Sequence, residues 1–160
     1  MSNPNHVDSG SFWHYSVAKY DKPNVMASCL TLQDEHGVNV NLLLLLCWCL
    51  DYHRLLTLSD WQSLLACVKE SDATIQALRV RRRNAKAPDA EEHKHYEVFK
   101  AEELLLERQQ QQLIINQLNA LSNNTIAPNT LNASIASFAA VYTLRHNKTA
   151  MQLIANVIHG

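Results

Sequence analysis

The chain reads as an all-α protein, a single-domain bundle of about six to seven helices, on three observations. From Leu42 to Leu50 there is no polar residue on any face, and a helix that is apolar all round must be wrapped by other protein or by lipid. The 160 residues include only three glycines and four prolines, fewer than the turns of dinucleotide-binding or β-rich folds normally require. Apolar residues elsewhere recur at helical spacing. Nine residues of helix span only about 14 Å, well short of the roughly 30 Å core of a bilayer. The apolar segment is therefore expected at the centre of a folded domain, over about 41–51.

Residues 1–10 are expected to form a flexible N-terminus and 11–160 one helical domain. Ser9 or Ser11 is expected to cap a first helix ending at Tyr20, with Phe12, Trp13, Ser16, Val17 and Tyr20 on one side. Pro23 suits the first turn of a second helix, whose stripe is Val25, Met26, Cys29, Leu30 and Leu32 and which ends at His36-Gly37. Asn39 or Asn41 then caps the apolar helix. Thr57 or Ser59 starts a fourth helix with Trp61, Leu64, Leu65 and Val68, then Ile75 and Leu78. Ser71-Asp72 is a candidate break within it, since both residues favour caps over helix interiors.

Ala87-Pro88-Asp89 is the clearest linker. No helix breaker occurs from about 90 to 121, which predicts one rod of roughly 45 Å. Phe99, Leu106, Leu113 and Ala120 repeat every seven residues along it, while the companion positions Glu103, Gln110 and Gln117 are polar. A two-stranded coiled coil requires both sets apolar, so packing along the domain is expected instead. A connection through Ser122–Thr125 and Pro128-Asn129 leads to a helix with Leu131, Ile135, Phe138, Ala139 and Tyr142. The last helix, Thr149 to Ile158, offers Met151, Ile154, Val157 and Ile158.

A net charge of −1 gives no whole-molecule attraction to nucleic acid or to anionic lipid. The N-terminal residues lack the basic and apolar regions of a secretory signal. The expected location is the cytoplasm, where Cys29, Cys47, Cys49 and Cys67 stay reduced and the Asn-x-Ser/Thr sites at Asn123, Asn132 and Asn147 are idle.

Few motifs carry chemistry. Cys47 and Cys49 lie two apart on a helix and point about 200° away from each other, so they cannot share a metal ion. The eight histidines show no ligand spacing; a gathering of His14, His36 and His53 with Asp34, Glu35 and Asp51 at the ends of the apolar helix is the one candidate cluster, with capping and surface hydrogen bonding as its ordinary reading. Neither a metal nor a cofactor is expected. Arg79, Arg81, Arg82, Arg83 and Lys86 form the strongest charged feature, with Arg79, Arg82, Arg83 and Lys86 on one helical face. Such a stripe suits phosphates, or it decorates a helix C-terminus and pairs with Glu91, Glu92 and Glu97.

Two segments of the N-terminal third carry a family resemblance. They are Phe12-Trp13-x-Tyr15-Ser16-Val17-x-x-Tyr20-x-x-Pro23-x-Val25 and Cys29-Leu30-x-Leu32-Gln33-Asp34-x-x-Gly37-Val38-x-Val40-Asn41-Leu42-Leu43-Leu44. Over about residues 11–50 the chain resembles the DUF2390 domain family of proteobacterial proteins, whose function is unassigned. The resemblance implies a small cytosolic bacterial helical protein and carries over no catalytic residue. Within it, Gln33, Asp34, Asn39 and Asn41 surround Gly37 at a helix–helix corner, where they satisfy backbone groups or form a recognition cluster.

The leading expectation is a non-catalytic protein-binding or adaptor module, its partner another protein docked on the outer side of the 90–121 rod and the basic stripe. One alternative is association with RNA or the ribosome through that stripe. Another is an enzyme or small-ligand carrier with a pocket between the first three helices, near Trp13, Tyr15, Asp34, Asn41 and His53.

Overall fold

Asn39 begins the central helix. Its backbone is extended (φ −74°, ψ 118°) and its side-chain oxygen accepts from the Leu42 N–H at 3.0 Å, which satisfies one of the donors a helix start leaves open. The helix it starts is the third of seven among the residues described by the computed structural model, which are 6–121, 124–125 and 131–160. In chain order they are α1 (Ser9–Tyr20), α2 (Pro23–His36), α3 (Val40–Asp51), α4 (Leu58–Ala85), α5 (Tyr96–Ala120), α6 (Leu131–Val141) and α7 (Lys148–His159). The class is all-α. The only strands among the described residues are Arg54–Leu55 and Asn124–Thr125, paired antiparallel with Arg54 opposite Thr125.

All of Asn41 to Cys47, with Cys49 and Leu50, is buried on α3. A fully buried leucine contributes about 1.5–3 kcal/mol, so Leu42 to Leu46 give the fold a dense anchor. α1, α2, α5, α6 and α7 all pack against α3, which is what an apolar surface on every side requires. Phe12, Val25, Cys29, Leu32, Ile114, Leu118, Phe138, Ile154 and Val157 complete this core. No helix among the described residues is long and apolar enough to cross a membrane.

Several local expectations need correction. The cap of α1 is Asp8, whose carboxylate accepts from the Ser11 N–H at 2.9 Å. Within the N-terminal segment, Val7 is buried and exchanges two 2.9 Å hydrogen bonds with the Asn119 side chain. Residues 1–5 lie outside the described residues, as does most of the 122–130 connection. α4 is not broken at Ser71-Asp72. Thr57 and Asp60 form a reciprocal capping box at its start, and both mid-helix polar side chains have partners: Ser71 Oγ donates to the Val68 carbonyl and Asp72 accepts from Asn39. α5 begins at Tyr96, not near 90, because residues 86–95 are used in turns and a short 3₁₀ segment, His93–His95. There His93 Nδ1 lies 3.0 Å from the Ala85 carbonyl, at the end of α4.

α4 and α5 run antiparallel. Their cross-links pair Ser63 with Gln117, Ser71 with Gln110, and Arg79 with Glu103, so residue numbers fall on one helix as they rise on the other. This pairing rolls α5 about its axis relative to its apolar repeat. Leu113 is 46% exposed and Leu104 54%, whereas Glu103, Gln110 and Gln111 are buried. The polar groups that α4 presents need partners in a space without water, and that demand outweighs burial of two more leucines.

Gly37 ends α2 in the left-handed region (φ 66°), and the Val38 N–H closes on the Leu32 carbonyl at 3.1 Å. A Cβ at Gly37 would meet nothing within 4 Å, so its requirement is conformational. Gly37→Ala is expected to cost about 1–2 kcal/mol in urea denaturation, and Gly37→Asn clearly less, because asparagine tolerates this region. Equal losses from both variants would remove the backbone argument.

Candidate functional site: an amide-lined cavity

The left-handed turn at Gly37 directs the chain so that Asn39 and Asn41 meet α5 at Gln110. The Gln110 carbonyl oxygen accepts from both Asn39 Nδ2 and Asn41 Nδ2 at 3.0 Å, and Gln110 Nε2 donates to Ser71 Oγ at 2.9 Å. Asn39 Nδ2 also donates to Asp72 at 2.9 Å. Asn41 is fixed further by its bond to the Glu107 carbonyl at 3.1 Å and by the Gln111 amide, which donates to Asn41 Oδ1 at 3.1 Å. The Asn39 N–H donates to the Tyr142 hydroxyl oxygen at 3.1 Å, which ties the corner to the end of α6.

These amides form one wall of a cavity of about 270 Å³ bounded by α1 to α5. Val38, Leu44 and Ile75 supply apolar surface, and Trp13, Val17 and Tyr20 come from α1. The Arg108 guanidinium lies 5.4 Å from the Trp13 ring centre. Two residues of the wall carry polar atoms with no hydrogen-bond partner among the described residues, Ser16 Oγ and Gln111 Oε1. Ser16 is 3% exposed and Gln111 1%, so both atoms have left water without a replacement, a costly state.

A second cavity, about 310 Å³, adjoins the first and shares Tyr20, Gln33, Arg79, Leu104 and Glu107 with it. Its remaining walls come from Leu30, Arg82, Arg83, Lys100 and Glu103. Here the basic stripe departs from the solvated face expected of it. Arg79 is buried and donates to Glu103 at 3.1 Å and to Glu107 at 3.3 Å. Arg82 pairs with the other oxygen of Glu103, and Arg83 reaches across to Asp34 at 2.9 Å. Arg81 pairs with Glu92 at 2.7 Å and lies 4.6 Å from the Phe99 ring centre. Only the Glu92 partner matches the carboxylates expected from sequence. Lys86 is exposed at the end of α4. The reason is the roll of α5, which presents Glu103 and Glu107 one turn apart to α4, and a desolvated guanidinium is tolerable only when paired.

Charge states follow from these surroundings. Burial, with the nearby Glu103 carboxylate, raises the Glu107 pKa above the ordinary value, and Arg79 pulls it back only in part. Burial also acts upward on Asp34, but hydrogen bonds from Arg83 and Gln33 outweigh it and hold the carboxyl below its usual range. Burial pushes the Tyr20 hydroxyl up to about 12. Cys29, Cys47 and Cys49 are likewise pushed up to about 12 by burial, so they are thiols packed in the core, not nucleophiles.

Of the corner residues singled out from sequence, Trp13, Gln33, Asn39 and Asn41 line the first cavity. Asp34 stands beside the second through Arg83. Tyr15 and His53 are elsewhere. The Tyr15 hydroxyl donates to Asp51 at 2.7 Å and its ring meets Trp48 edge-on, which directs it toward the C-terminal end of α3. His53 is exposed in the turn after α3, itself left-handed (φ 52°). The gathering of His14, His36 and His53 with carboxylates does not occur: among the described residues no group of three or more His, Cys, Asp or Glu is placed to hold a metal ion. Sequence reasoning missed Ser16, Asp72, Glu107, Gln110 and Gln111. The signal was present in the polar heptad companions Glu103, Gln110 and Gln117, which mark a helix face that seeks polar partners inside the domain.

The raised Glu107 pKa has a definite sign in stability. Above the ordinary carboxyl value the native state retains a proton that the unfolded chain has released, so this group favours folding at low pH and that contribution is lost as pH rises through the folded value. Glu107→Gln, which is neutral throughout, is therefore expected to raise Tm relative to the parent at about pH 7 and to leave it unchanged at about pH 4. A lower Tm at neutral pH would show that the pairing with Arg79 dominates.

No curated protein and no solved structure matches the chain. A family model described as "Protein of unknown function (DUF2390)" matches residues 11–114, well over half of the sequence. That span contains every residue lining either cavity, from Trp13 to Gln111. The chain belongs to the DUF2390 family.

Proposed function

We propose that the protein is a non-catalytic binding module whose ligand is a small polar molecule held in the amide-lined cavity between α1 and α5. The observation that carries this reading is a 270 Å³ cavity whose lining includes Ser16 and Gln111, two buried residues that each keep a polar atom without a hydrogen-bond partner among the described residues. Apolar surface from Val38, Leu44 and Ile75 with a few fixed amides is the usual composition of a small-molecule site. Both cavities fall within the family-matched span. The free cysteines suit a reducing compartment such as the bacterial cytoplasm.

Val17 borders the cavity but is 50% exposed, so Val17→Trp narrows the cavity without disturbing the core. In a thermal-shift screen of small polar metabolites, the parent is expected to gain Tm with at least one compound. Val17→Trp is expected to lose that gain while keeping the parent's own Tm. A gain retained in full by Val17→Trp would sink the cavity reading.

A second reading, a protein-docking or adaptor role, draws on the outer face of α5. Val98, Leu105 and Leu113 are 46–59% exposed there, a run of apolar side chains on one side of the helix. The basic stripe contributes less than expected to this reading and to an RNA-binding one, since Arg79 is buried, Arg81 is paired with Glu92, and Arg82 and Arg83 line the second cavity. Leu105→Glu is expected to abolish co-purification of any partner held by this face, and an unchanged partner profile would dismiss it.

A further inference from the structure

The two adjoining cavities have opposite electrostatic character. The first is lined by Asp21, Asp72 and Glu107, with Arg79 as its one cation. Arg79 is already engaged by Glu103 and Glu107. The unpartnered Gln111 Oε1 is an acceptor only, so a ligand group that reached it would bring an N–H or O–H. Tyr20 adds an aromatic ring to the same cavity, a surface that favours a cation, while the Trp13 ring is already met by Arg108. Ser16 Oγ can accept as well as donate. Everything unsatisfied at this end therefore suits a donor, and the carboxylates favour a positively charged one.

The second cavity is lined by Arg79, Arg82, Arg83 and Lys100 against Glu103 and Glu107. Both oxygens of Glu103 are taken, one by Arg79 and one by Arg82, so this carboxylate has little capacity left to repel or compete. Each guanidinium has five N–H donors, and Arg82 uses only Nε on Glu103, its side chain also meeting Tyr96. Arg83 uses one Nη group on Asp34. Lys100 has only a loose ion pair with Glu97, at 3.9 Å, and lies 5.5 Å from the Tyr96 ring centre. Asp34 and Glu97 offset part of the charge from outside the cavity, where water screens them. The donors left over converge on a concave space that suits a carboxylate or phosphate.

Tyr20, Gln33, Arg79, Leu104 and Glu107 border both spaces, so the two lie side by side. Resting on the cavity reading above, we infer that the ligand is a small bipolar molecule. Its ammonium or other cationic donor lies by Gln111, Asp72 and Asp21. An oxyanion lies by Arg82, Arg83 and Lys100, and an apolar stem runs along Leu104. The stripe that the sequence presents as a contact for nucleic-acid phosphates is in this account the anion-binding end of an internal site.

Four probes of one length separate the contributions: 6-aminohexanoate, hexanoate, hexylamine and hexanol, titrated into ¹⁵N-labelled full-length protein and followed by NMR. The expected result is that 6-aminohexanoate binds about tenfold or more tighter than either single-ended probe, with hexanol weakest. Shifts are expected in the Asn39, Asn41 and Gln111 side-chain amides and around Arg82 and Lys100. Lys100→Gln is expected to weaken the two acid-bearing probes only, and Gln111→Leu the two amine-bearing probes only. Both positions are read against circular dichroism to verify folding, and the exposed Lys100 site keeps the test valid if Gln111→Leu unfolds. Equal binding of hexanol and 6-aminohexanoate at these residues would overturn the bipolar inference and leave the cavity reading standing. Absence of shifts at the cavity residues with all four probes would overturn the bipolar inference as well, and the metabolite screen of Val17→Trp then decides the cavity reading on its own.

Discussion

The structure depends on one constraint, that α3 has no side fit to face water. A helix with buried residues at every position from Asn41 to Cys47 must be surrounded, and five of the other six helices pack against it. Covering it from all sides uses up most of the apolar surface that α1, α2, α6 and α7 possess. Lys19 shows how closely the covering helices are joined: its buried ammonium donates to the Ile158 carbonyl at 3.1 Å, at the end of α7, where a cation meets the negative pole of the helix. α4 and α5 meet each other through polar groups as well as through the apolar cluster of Leu78, Ala85 and Phe99, and the cavities lie where the polar part of that seam meets the apolar centre.

Much of this was legible in the sequence because it is local. The apolar run at Leu42–Leu50, Pro23 in a first turn, Gly37 as a left-handed stop and Asn39 as a cap each follow from one or two residues and their known backbone preferences. The class and the approximate helix count follow with them. The corner Gln33–Asn41 was also recognisable, and Gln33, Asn39 and Asn41 do border the cavity.

What could not be read was long-range. The pairing of Ser71 with Gln110, or Arg83 with Asp34, spans tens of residues, and no local spacing encodes which carboxylate a given arginine will meet. The heptad of Phe99, Leu106, Leu113 and Ala120 argued for one face of α5, and the structure buries a face rotated from it. Apolar periodicity assumes that the neighbour is apolar. When the neighbouring helix brings Ser63, Ser71 and Arg79, the favourable partner is a glutamine or a glutamate, and Leu113 is turned outward as a result. Tyr15 and His53 were near the corner in sequence but were directed elsewhere by the helix face they occupy and by the turn after α3.

Gln110 accepts two amide hydrogen bonds from the corner and donates a third to α4. The amides it holds are fixed by their own partners, not by an incoming molecule. Most of the ordering that a binding wall usually undergoes on association has thus taken place during folding. Such preorganisation reduces the entropic penalty of complex formation. For the proposed ligand it would also make the wall exacting: rigid amides accommodate a mismatched guest poorly, so discrimination between close analogues would be a property of the folded state itself.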